Sequence, residues 1–348
     1  MPTVQADRLR KISEILFEKS GASVEEAATV SRHCVSANLT GHDSHGIIQV
    51  PTYIDRVERG HIVPGAPFEI VQESTTTTVI NGNWGFGYVV NERAMNITIE
   101  KAKTANVAAA TVYHQSHVGR AASYPLMAAE QGMIAMMTAD SGRTPKAVAP
   151  FGGRAARLGT NPIAIAMPSN LEGPFFIDMA TSAAAAGKVK LAQARGQSIP
   201  DDWVVDKNGR ATTDPAALSD GGAIQPLGGA QGFKGTGLAA MVEIFSGLLT
   251  GLGFGVEPTG KHNDGVFMAV FNVEAFRPLE TFKQEVTEFA EYLKATPTAE
   301  GFDGVLYPGE IEHQRMQKRL VDGIEVEDAT WNKLVALAEK YGVSEIVA

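Results

Sequence analysis

One cysteine, Cys34, occurs in 348 residues. A single thiol excludes an internal disulfide and any cysteine-rich zinc or iron–sulfur site. Its place on the apolar face of a predicted helix marks it as a buried, inert group. No apolar run approaches the roughly 18 residues that a membrane span needs. Basic residues are in the minority, 30 Lys and Arg against 39 Asp and Glu, for a formal net charge of −9. That balance argues against nucleic acid or anionic membranes as main partners. Met1-Pro2-Thr3-Val4-Gln5-Ala6-Asp7 lacks the charged and apolar regions of a signal peptide, so the expected location is cytoplasmic.

Several catalytic signatures are also missing. There is no His-Glu-x-x-His helix for zinc and no Gly-x-Ser-x-Gly elbow for a serine nucleophile. A Walker A loop is absent, because Gly232-Phe233-Lys234-Gly235 lacks the upstream spacing and the Ser/Thr. Gly82…Gly85-Phe86-Gly87 has the wrong spacing for Gly-x-Gly-x-x-Gly. Gly251, Gly253 and Gly255 follow a helix, with Val256 in the last glycine position. A bound dinucleotide would therefore require a fold other than the usual one.

What is present is an ordinary globular composition, 44% hydrophobic and 20% charged, in a chain long enough for about two domains. Leu9, Ile12 and Leu16 share a face in a helix over 4–19. Ser23 and Glu26 form a capping-box pattern that opens a second helix to about Leu39. A third runs to about Gly60. From Pro64 the texture turns β-rich: a hairpin over Phe68–Gln72 and Thr76–Asn81, a helix over 88–105, and a buried strand Val107–Tyr113. A helix over 120–131 and strands at Met133–Thr138, Pro162–Met167 and Phe175–Ile177 follow. Asp178–Ser182 reads as a polar turn and 183–195 as a helix. Residues 196–232 read as a long functional loop. Further helices are predicted over Gly235–Leu249, 278–294, 310–321 and 326–341, with strands at Gly265–Phe271 and Val305–Tyr307. Both chain ends are helical, which suggests that they pack together.

Two loops concentrate histidine. Gly41-His42-Asp43-Ser44-His45-Gly46 joins two helices, and His114-Gln115-Ser116-His117-Val118-Gly119-Arg120 ends a strand. These loops and the nearby His33 hold five of the eight histidines. A turn needs glycine and short polar side chains, not paired imidazoles. Three readings are open: a metal site, acid–base chemistry, or capping residues on a surface loop. Loop spacing disfavours metal, and none is expected. Imidazole exchanges protons near neutral pH, Ser44 is suited to orient a substrate oxygen, and Arg120 offers a fork of donors to a carboxylate. Asp43, Ser44 and His45 are sequence neighbours whose side chains diverge, so they form no relay among themselves. The working expectation is that the two loops meet over one substrate. Polar turns at strand ends are candidates for a nucleotide: Thr160 and Asn161, the Asp178–Ser182 turn, Lys188, and Lys234 at a helix N-terminus.

The ordered set Gly41–Gly46, Ser116-His117 with Gly119, Pro150-Phe151-Gly152-Gly153, Leu158–Pro162, Asp178–Ser182, Gly187-Lys188, Pro226-Leu227-Gly228-Gly229, Lys234-Gly235 and Tyr307-Pro308-Gly309-Glu310 resembles the type-2 malate/L-lactate dehydrogenase family. The likeness covers about residues 8–342 and is nearest to the hydroxycarboxylate dehydrogenase branch. It implies an α/β, non-Rossmann oxidoreductase using NAD or NADP, a homodimer that interconverts a 2-keto acid and a 2-hydroxy acid. It further implies a helical domain from residues 1–65 plus 310–348 and an α/β cofactor-binding and dimerisation domain from 66–309. By motif, His117, His45 and Ser44 fall on proton-transfer positions. Ser141, Thr160, Asn161, Asp178, Met179, Ala180, Lys188, Lys234, Tyr307, Pro308 and Gly309 fall on the cofactor side. Arg120, Gln49 and Tyr53 are the expected substrate contacts. Gln49 stands where the family usually carries an arginine for the substrate carboxylate, and Arg120 is placed to supply that charge. The alternative implied activity is reduction of cyclic or N-alkyl imines, although that subgroup carries aspartate where this chain has Lys188. Arg143 and Lys146 are the charges available to a 2′-phosphate.

Overall fold

In the computed structural model, residues 1–140, 145–255 and 261–348 are described. A two-residue strand β1 (Thr3–Val4) leads into α1 (Ala6–Lys19), α2 (Val24–Leu39) and α3 (Val50–Glu58). The capping box at the start of α2 forms as the sequence predicts: Glu26 N–H donates to Ser23 Oγ, and Ser23 N–H to Glu26 Oε2.

The chain then builds a sheet from β2 (Glu69–Glu73), β3 (Thr77–Gly85), β4 (Val107–Gln115), β5 (Met133–Asp140), β6 (Ile163–Met167) and β7 (Phe175–Met179), with helices α4 (Gly87–Ala105) and α5 (Ser123–Ala129) between them. After α6 (Ala186–Ala194), the small strands β8 (Val204–Val205), β9 (Ala211–Thr212) and β10 (Ala223–Ile224), and helix α7 (Phe233–Val242), a late strand β11 (Gly265–Asn272) returns to the sheet. The order is β2-β3-β4-β11-β5-β6-β7. Among the described strands of this sheet, β3 and β4 are the parallel pair and the other neighbours run antiparallel. They are joined by the α4 crossover that a parallel pair requires. β11 lies between β4 and β5, and this places residues just before Gly265 beside the end of β4.

Helices α8 (Leu279–Lys294), α9 (Glu310–Asp322) and α10 (Asp328–Lys340) close the chain, with β12 (Ile324–Glu325) between the last two. The ends do pack together: β12 pairs with β1, Val4 against Ile324. One continuous apolar cluster runs from Leu9, Ile12 and Leu16 through Ile80, Val112 and Met268 to Leu334 and Ala338. Among the described residues, no helix is long and apolar enough to cross a membrane.

Five expectations need correction. Residues 196–232 are not an open loop. They form the three-stranded sheet β10-β8-β9, whose Val204 packs with Ala184, Val189 and Ile199; two-residue strands are too short to show a period of two. Among the described residues, Val305–Tyr307 pairs with no strand, and Tyr307 turns inward to stack on Phe175. The helix expected over 120–131 is only Ser123–Ala129. Asp178 and Met179 belong to β7, paired with Ala164 and Ile163, rather than to a turn. The helix expected to end at Leu249 begins at Phe233 and widens into a π-helix over Glu243–Leu248.

Candidate active site

The first histidine loop is held by Asn38, in the last turn of α2. Its Nδ2 donates to Asp43 Oδ1 at 2.7 Å, and its Oδ1 accepts from Ile47 N–H at 2.8 Å. Arg319, on α9, grips the same Asp43 carboxylate with two nitrogens at 2.7 and 3.1 Å. His42 Nε2 lies 3.7 Å from Glu312 Oε1, also on α9. The C-terminal helices thus clamp a loop made some 270 residues earlier, and this is why the pairing of the chain ends matters for the site. Gly46 is required by space: a Cβ there would stand 2.2 Å from Asn38 Oδ1.

The second loop leaves β4 through Gln115, which is fully buried and bonded to Asn91 and the Asp264 carbonyl. Gly87 lets α4 begin against it, since a Cβ would meet the His117 carbonyl at 2.3 Å. Gly119 has φ +72°, open to glycine without strain, and its Cβ would collide with Tyr88 Oη at 1.8 Å.

The two loops meet. The rings of His45 and His117 stack with centroids 5.4 Å apart. Ser44 Oγ is 3.1 Å from His45 Nδ1, and Tyr53 Oη is 2.6 Å from His117 Nδ1. Tyr53 is 2% exposed, so its hydroxyl is directed at His117 rather than at open space. Gln49 donates to the Ser44 carbonyl at 2.7 Å and braces the first loop. His114 does not join them. With φ +51° it turns away to stack on Trp84 at 5.2 Å. His33 lies behind the site, stacked on Tyr88 at 4.9 Å and 2.8 Å from Glu92 Oε2.

Burial dominates the electrostatics. It holds His117 well below the usual imidazole range, against an opposing pull from Asp264; His45, His262 and Arg56 push the same way as burial. His45 is lowered by burial too, opposed first by Asp178. Burial raises the hydroxyls of Tyr53, Tyr88 and Tyr124 well above the ordinary phenol range and the Cys34 thiol to about 12. Both loop histidines are therefore neutral near pH 7, the state in which an imidazole accepts a proton.

Arg120 is 3% exposed. Its Nε lies 4.0 Å from Asp178 Oδ2, too far for a hydrogen bond, and is without a hydrogen-bond partner among the described residues. Its guanidinium sits 5.1 Å from the centre of the Phe176 ring. Burial lowers its proton affinity, and Asp178 and Glu312 oppose this. A buried cation with an unanswered donor is suited to an anionic ligand.

The candidate cofactor residues form one connected strip. Thr181 N–H and Oγ–H both donate to the Thr160 carbonyl, Leu227 N–H donates to the Thr181 carbonyl, and Phe176 N–H donates to the Pro308 carbonyl. Gly235 accepts the Leu227 backbone so closely that a Cβ would lie 2.2 Å from its oxygen. Gly309, at φ +97°, likewise leaves no room for a Cβ against the Pro174 carbonyl. Lys234 and Lys188 are exposed in the first turns of α7 and α6, helices with no side-chain N-cap. Asn161 is buried, and its amide holds α7 through the Ala239 carbonyl and Glu243. Asp178 joins the strip to the histidines: it accepts Ala122 N–H and faces Arg120. Met179 ends β7 and Ala180 follows it, both half-buried. Tyr307 packs on Phe175. Ser141 and Arg143 lie outside the described residues. Lys146 is not available to a 2′-phosphate. It is buried between Asp140 at 2.8 Å and Glu243 at 3.0 Å.

Sequence reading missed two residues. His262 stands edge-on to His117, centroids 5.5 Å apart. Its Nε2 approaches Asp264 Oδ1 at 2.7 Å off the hydrogen-bond direction. Asp264 is buried, and its other oxygen accepts Val118 N–H at 2.9 Å. Burial pushes that carboxyl upward, but His262, His117 and the Val118 N–H outweigh it and hold the group below the carboxylate range. The available signal was the polar triplet His262-Asn263-Asp264 at the mouth of an otherwise buried strand. Among the described residues, no group of three or more His, Cys, Asp or Glu side chains is placed to hold a metal ion.

A profile of malate/L-lactate dehydrogenases matches residues 4–335. The chain is 34% identical to a malate dehydrogenase of Pyrococcus horikoshii, over 98% of this chain and 96% of that one. It is 32% identical to hydroxycarboxylate dehydrogenase B of Escherichia coli, over 98% and 94%. A crystal structure of malate dehydrogenase from Entamoeba histolytica superposes with a TM-score of 0.93 at 33% identity, covering 98% of both chains.

Proposed function

The chain belongs to the malate/L-lactate dehydrogenase family and is a 2-hydroxyacid dehydrogenase, and from that premise we propose that His117 is the acid–base group of a reversible 2-keto/2-hydroxy acid interconversion dependent on NAD or NADP. The observation that carries this reading is the meeting of two neutral imidazoles, His117 and His45, beside a buried cation, Arg120. A nicotinamide cofactor, when bound, accepts or returns the hydride at C2. The side chains do the rest. His117 removes the hydroxyl proton in oxidation and returns it to the carbonyl oxygen in reduction. Ser44 and His45 hydrogen-bond the reacting oxygen. Arg120 anchors the carboxylate in place of the family arginine that Gln49 replaces. Low local polarity strengthens each of these interactions.

The fit of a dinucleotide rests on the strip from Thr160 through Asp178–Thr181 to Leu227 and the first turn of α7. Gly235 and Gly309 let the strip's own backbone segments pack in direct contact, against the Leu227 and Pro174 carbonyls. Lys234, at an uncapped helix N-terminus, suits a phosphate. The sheet that carries this strip is mostly antiparallel, which supports a mode of dinucleotide binding unlike the parallel Rossmann one.

A second copy of this chain is the expected partner. Leu238, Met241, Phe245 and Leu248 form an exposed apolar stripe at helical spacing along α7 and the π-helix, as a subunit contact would require.

The test is NADH and NADPH oxidation with pyruvate, oxaloacetate, glyoxylate, hydroxypyruvate and phenylpyruvate, repeated with His117→Ala. The variant is expected to lose about 10²–10⁴ in kcat with cofactor Kd unchanged. Equal losses in turnover and cofactor affinity would remove His117 from the chemistry. NAD(P)H consumption that appears only when ammonia or methylamine is added would replace keto acids by imines as the substrate class.

A further inference from the structure

Asp264 is fastened to the chain on both sides of His117. Its backbone N–H donates to the Gln115 carbonyl at 3.2 Å, and the Gln115 side-chain amide donates to the Asp264 carbonyl at 3.2 Å. Its carboxylate reaches further along the loop, where Oδ2 accepts the Val118 N–H at 2.9 Å. That N–H belongs to the peptide that leaves His117. Gln115 and Val118 bracket Ser116 and His117, so one aspartate holds both ends of the segment that carries the base. His262, two residues earlier, touches both partners. Its Nε2 is 2.7 Å from Asp264 Oδ1, and its ring stands edge-on to His117 with centroids 5.5 Å apart.

Bracing the loop does not require a charge. An asparagine oxygen would accept the Val118 N–H as well as a carboxylate does. Asp264 is nevertheless an acid, 2% exposed, with Oδ1 lacking a hydrogen-bond partner among the described residues. Burying a carboxylate is costly unless a positive charge answers it. The imidazole of His262 answers it only when protonated. The second group here that gains a positive charge is His117, when it takes a proton. We propose that Asp264 is a positioning residue for the reaction, bracing the His117 loop and standing as counter-charge to the imidazolium that forms there, and that His262 competes with His117 for that charge.

The proposal rests on the reading of His117 as the acid–base group. In oxidation the hydroxyl proton passes to His117 while the hydride leaves C2 for the nicotinamide; in reduction both return. Asp264 and His262 exchange no bond with the substrate. The other groups set against His117 bring no negative charge. Tyr53 and Arg56 come from α3, the first at 2.6 Å from the His117 ring and the second donating to Ser116 Oγ at 3.2 Å, and His45 stacks from the first loop. The pull of Asp264 on the ring is opposite in sign to that of His45, His262 and Arg56. An anion held beside the loop favours the protonated ring, and a second cation beside it disfavours that state.

The experiment is a pH titration of His117 by nitrogen-15 NMR in the full-length enzyme labelled at histidine, for wild type, Asp264→Asn and His262→Gln. The His117 signal is identified by its loss in His117→Ala. The asparagine keeps an acceptor for Val118 N–H, and the glutamine keeps a neutral donor beside Asp264, so each variant changes mainly a charge. Asp264→Asn removes the anion, and the His117 midpoint should move to lower pH. His262→Gln removes the competitor, and the midpoint should move to higher pH. The acid limb of hydroxy-acid oxidation should follow in both. Reduction needs the protonated ring, so Asp264→Asn should also lower kcat for the keto acid at pH 7 by about 10–100-fold, the equivalent of one interaction with a charged group, with KM little changed. Bracing alone leaves the midpoint of Asp264→Asn where it is in the wild type, and that result, or shifts of the same sign in both variants, would overturn the proposal. If Asp264→Asn does not fold, His262→Gln decides alone, and a midpoint that falls or stays would overturn it. Wild-type turnover in His117→Ala would instead remove the acid–base reading, which the titration does not depend on.

Discussion

Asn38 and Gly46 make one quantitative test of how the first histidine loop is built. Asn38→Ala removes two hydrogen bonds, to Asp43 and from Ile47 N–H, in a side chain only 5% exposed. Each bond contributes about 0.5–1.5 kcal/mol, and the buried Ile47 N–H left unmet costs about 1–3 kcal/mol. Asp43 keeps Arg319, so its charge stays compensated. The expected loss is about 2–4 kcal/mol. Gly46→Ala should cost nearly the same by a different route. Its φ of −90° is open to any residue, but its new Cβ would occupy the space of Asn38 Oδ1 and evict that amide. If eviction is the whole effect, the double variant loses nothing further. The assay is urea unfolding of the wild type, both single variants and the double variant, read as a double-mutant cycle. A coupling of about 2 kcal/mol or more supports the argument. Additive losses would refute it, since they would mean that Gly46 is needed for some reason other than the room taken by Asn38. Turnover should fall in all three variants, because the same loop carries Ser44 and His45.

Other expectations follow from the same geometry. Arg120→Ala should raise KM for the keto acid by about 10–100-fold, the effect of losing a charge-assisted contact, and an unchanged KM would take Arg120 out of the substrate pocket. Lys146→Met would leave the buried carboxylates of Asp140 and Glu243 facing each other, at a cost of about 3–5 kcal/mol. Burial raises Asp140 to about 6, the Lys146 charge opposes that shift, and Glu243 adds to it. A carboxyl raised in the folded state contributes stability that is present below its unfolded value of 3.8 and is lost as pH rises through about 6. The Lys146→Met deficit should therefore be largest at pH 8 and shrink on acidification below 6. Urea unfolding at pH 8 and pH 5 checks this, and a pH-independent deficit would contradict it. Met241→Glu places a charge in the exposed stripe on α7 and should shift the molar mass measured by light scattering to that of one chain. A variant with the wild-type mass would move the subunit contact elsewhere.

Much of the architecture was legible in the chain because it is written locally. Periodicity located the long helices at both ends, Ser23 and Glu26 marked a helix start, and β-branched runs marked β4 and β11. Two histidines within each of two turns singled out both loops. The short strands β8–β10 were not legible, because a pair of residues carries no period; nor was the inward turn of Tyr307, which depends on a ring from a distant strand.

Local pattern also says nothing of direction or company. Four histidines look alike in the two loops, yet His117 and His45 face each other, His42 faces Glu312, and His114 turns to Trp84. Tyr53 reads as an apolar-face residue and, by resemblance, as a substrate contact, and only the fold brings its hydroxyl to His117. His262 and Asp264 reach the site only because β11 inserts beside β4. Arg319 reaches Asp43 only because the chain ends pair. The sequence by itself determined which residue types were available for acid–base chemistry and which elements carry them. The tertiary structure decided which are buried, which are neutral and which touch, because burial and contact are set by residues far apart in the chain, and those are what fix a proton affinity or orient a ring.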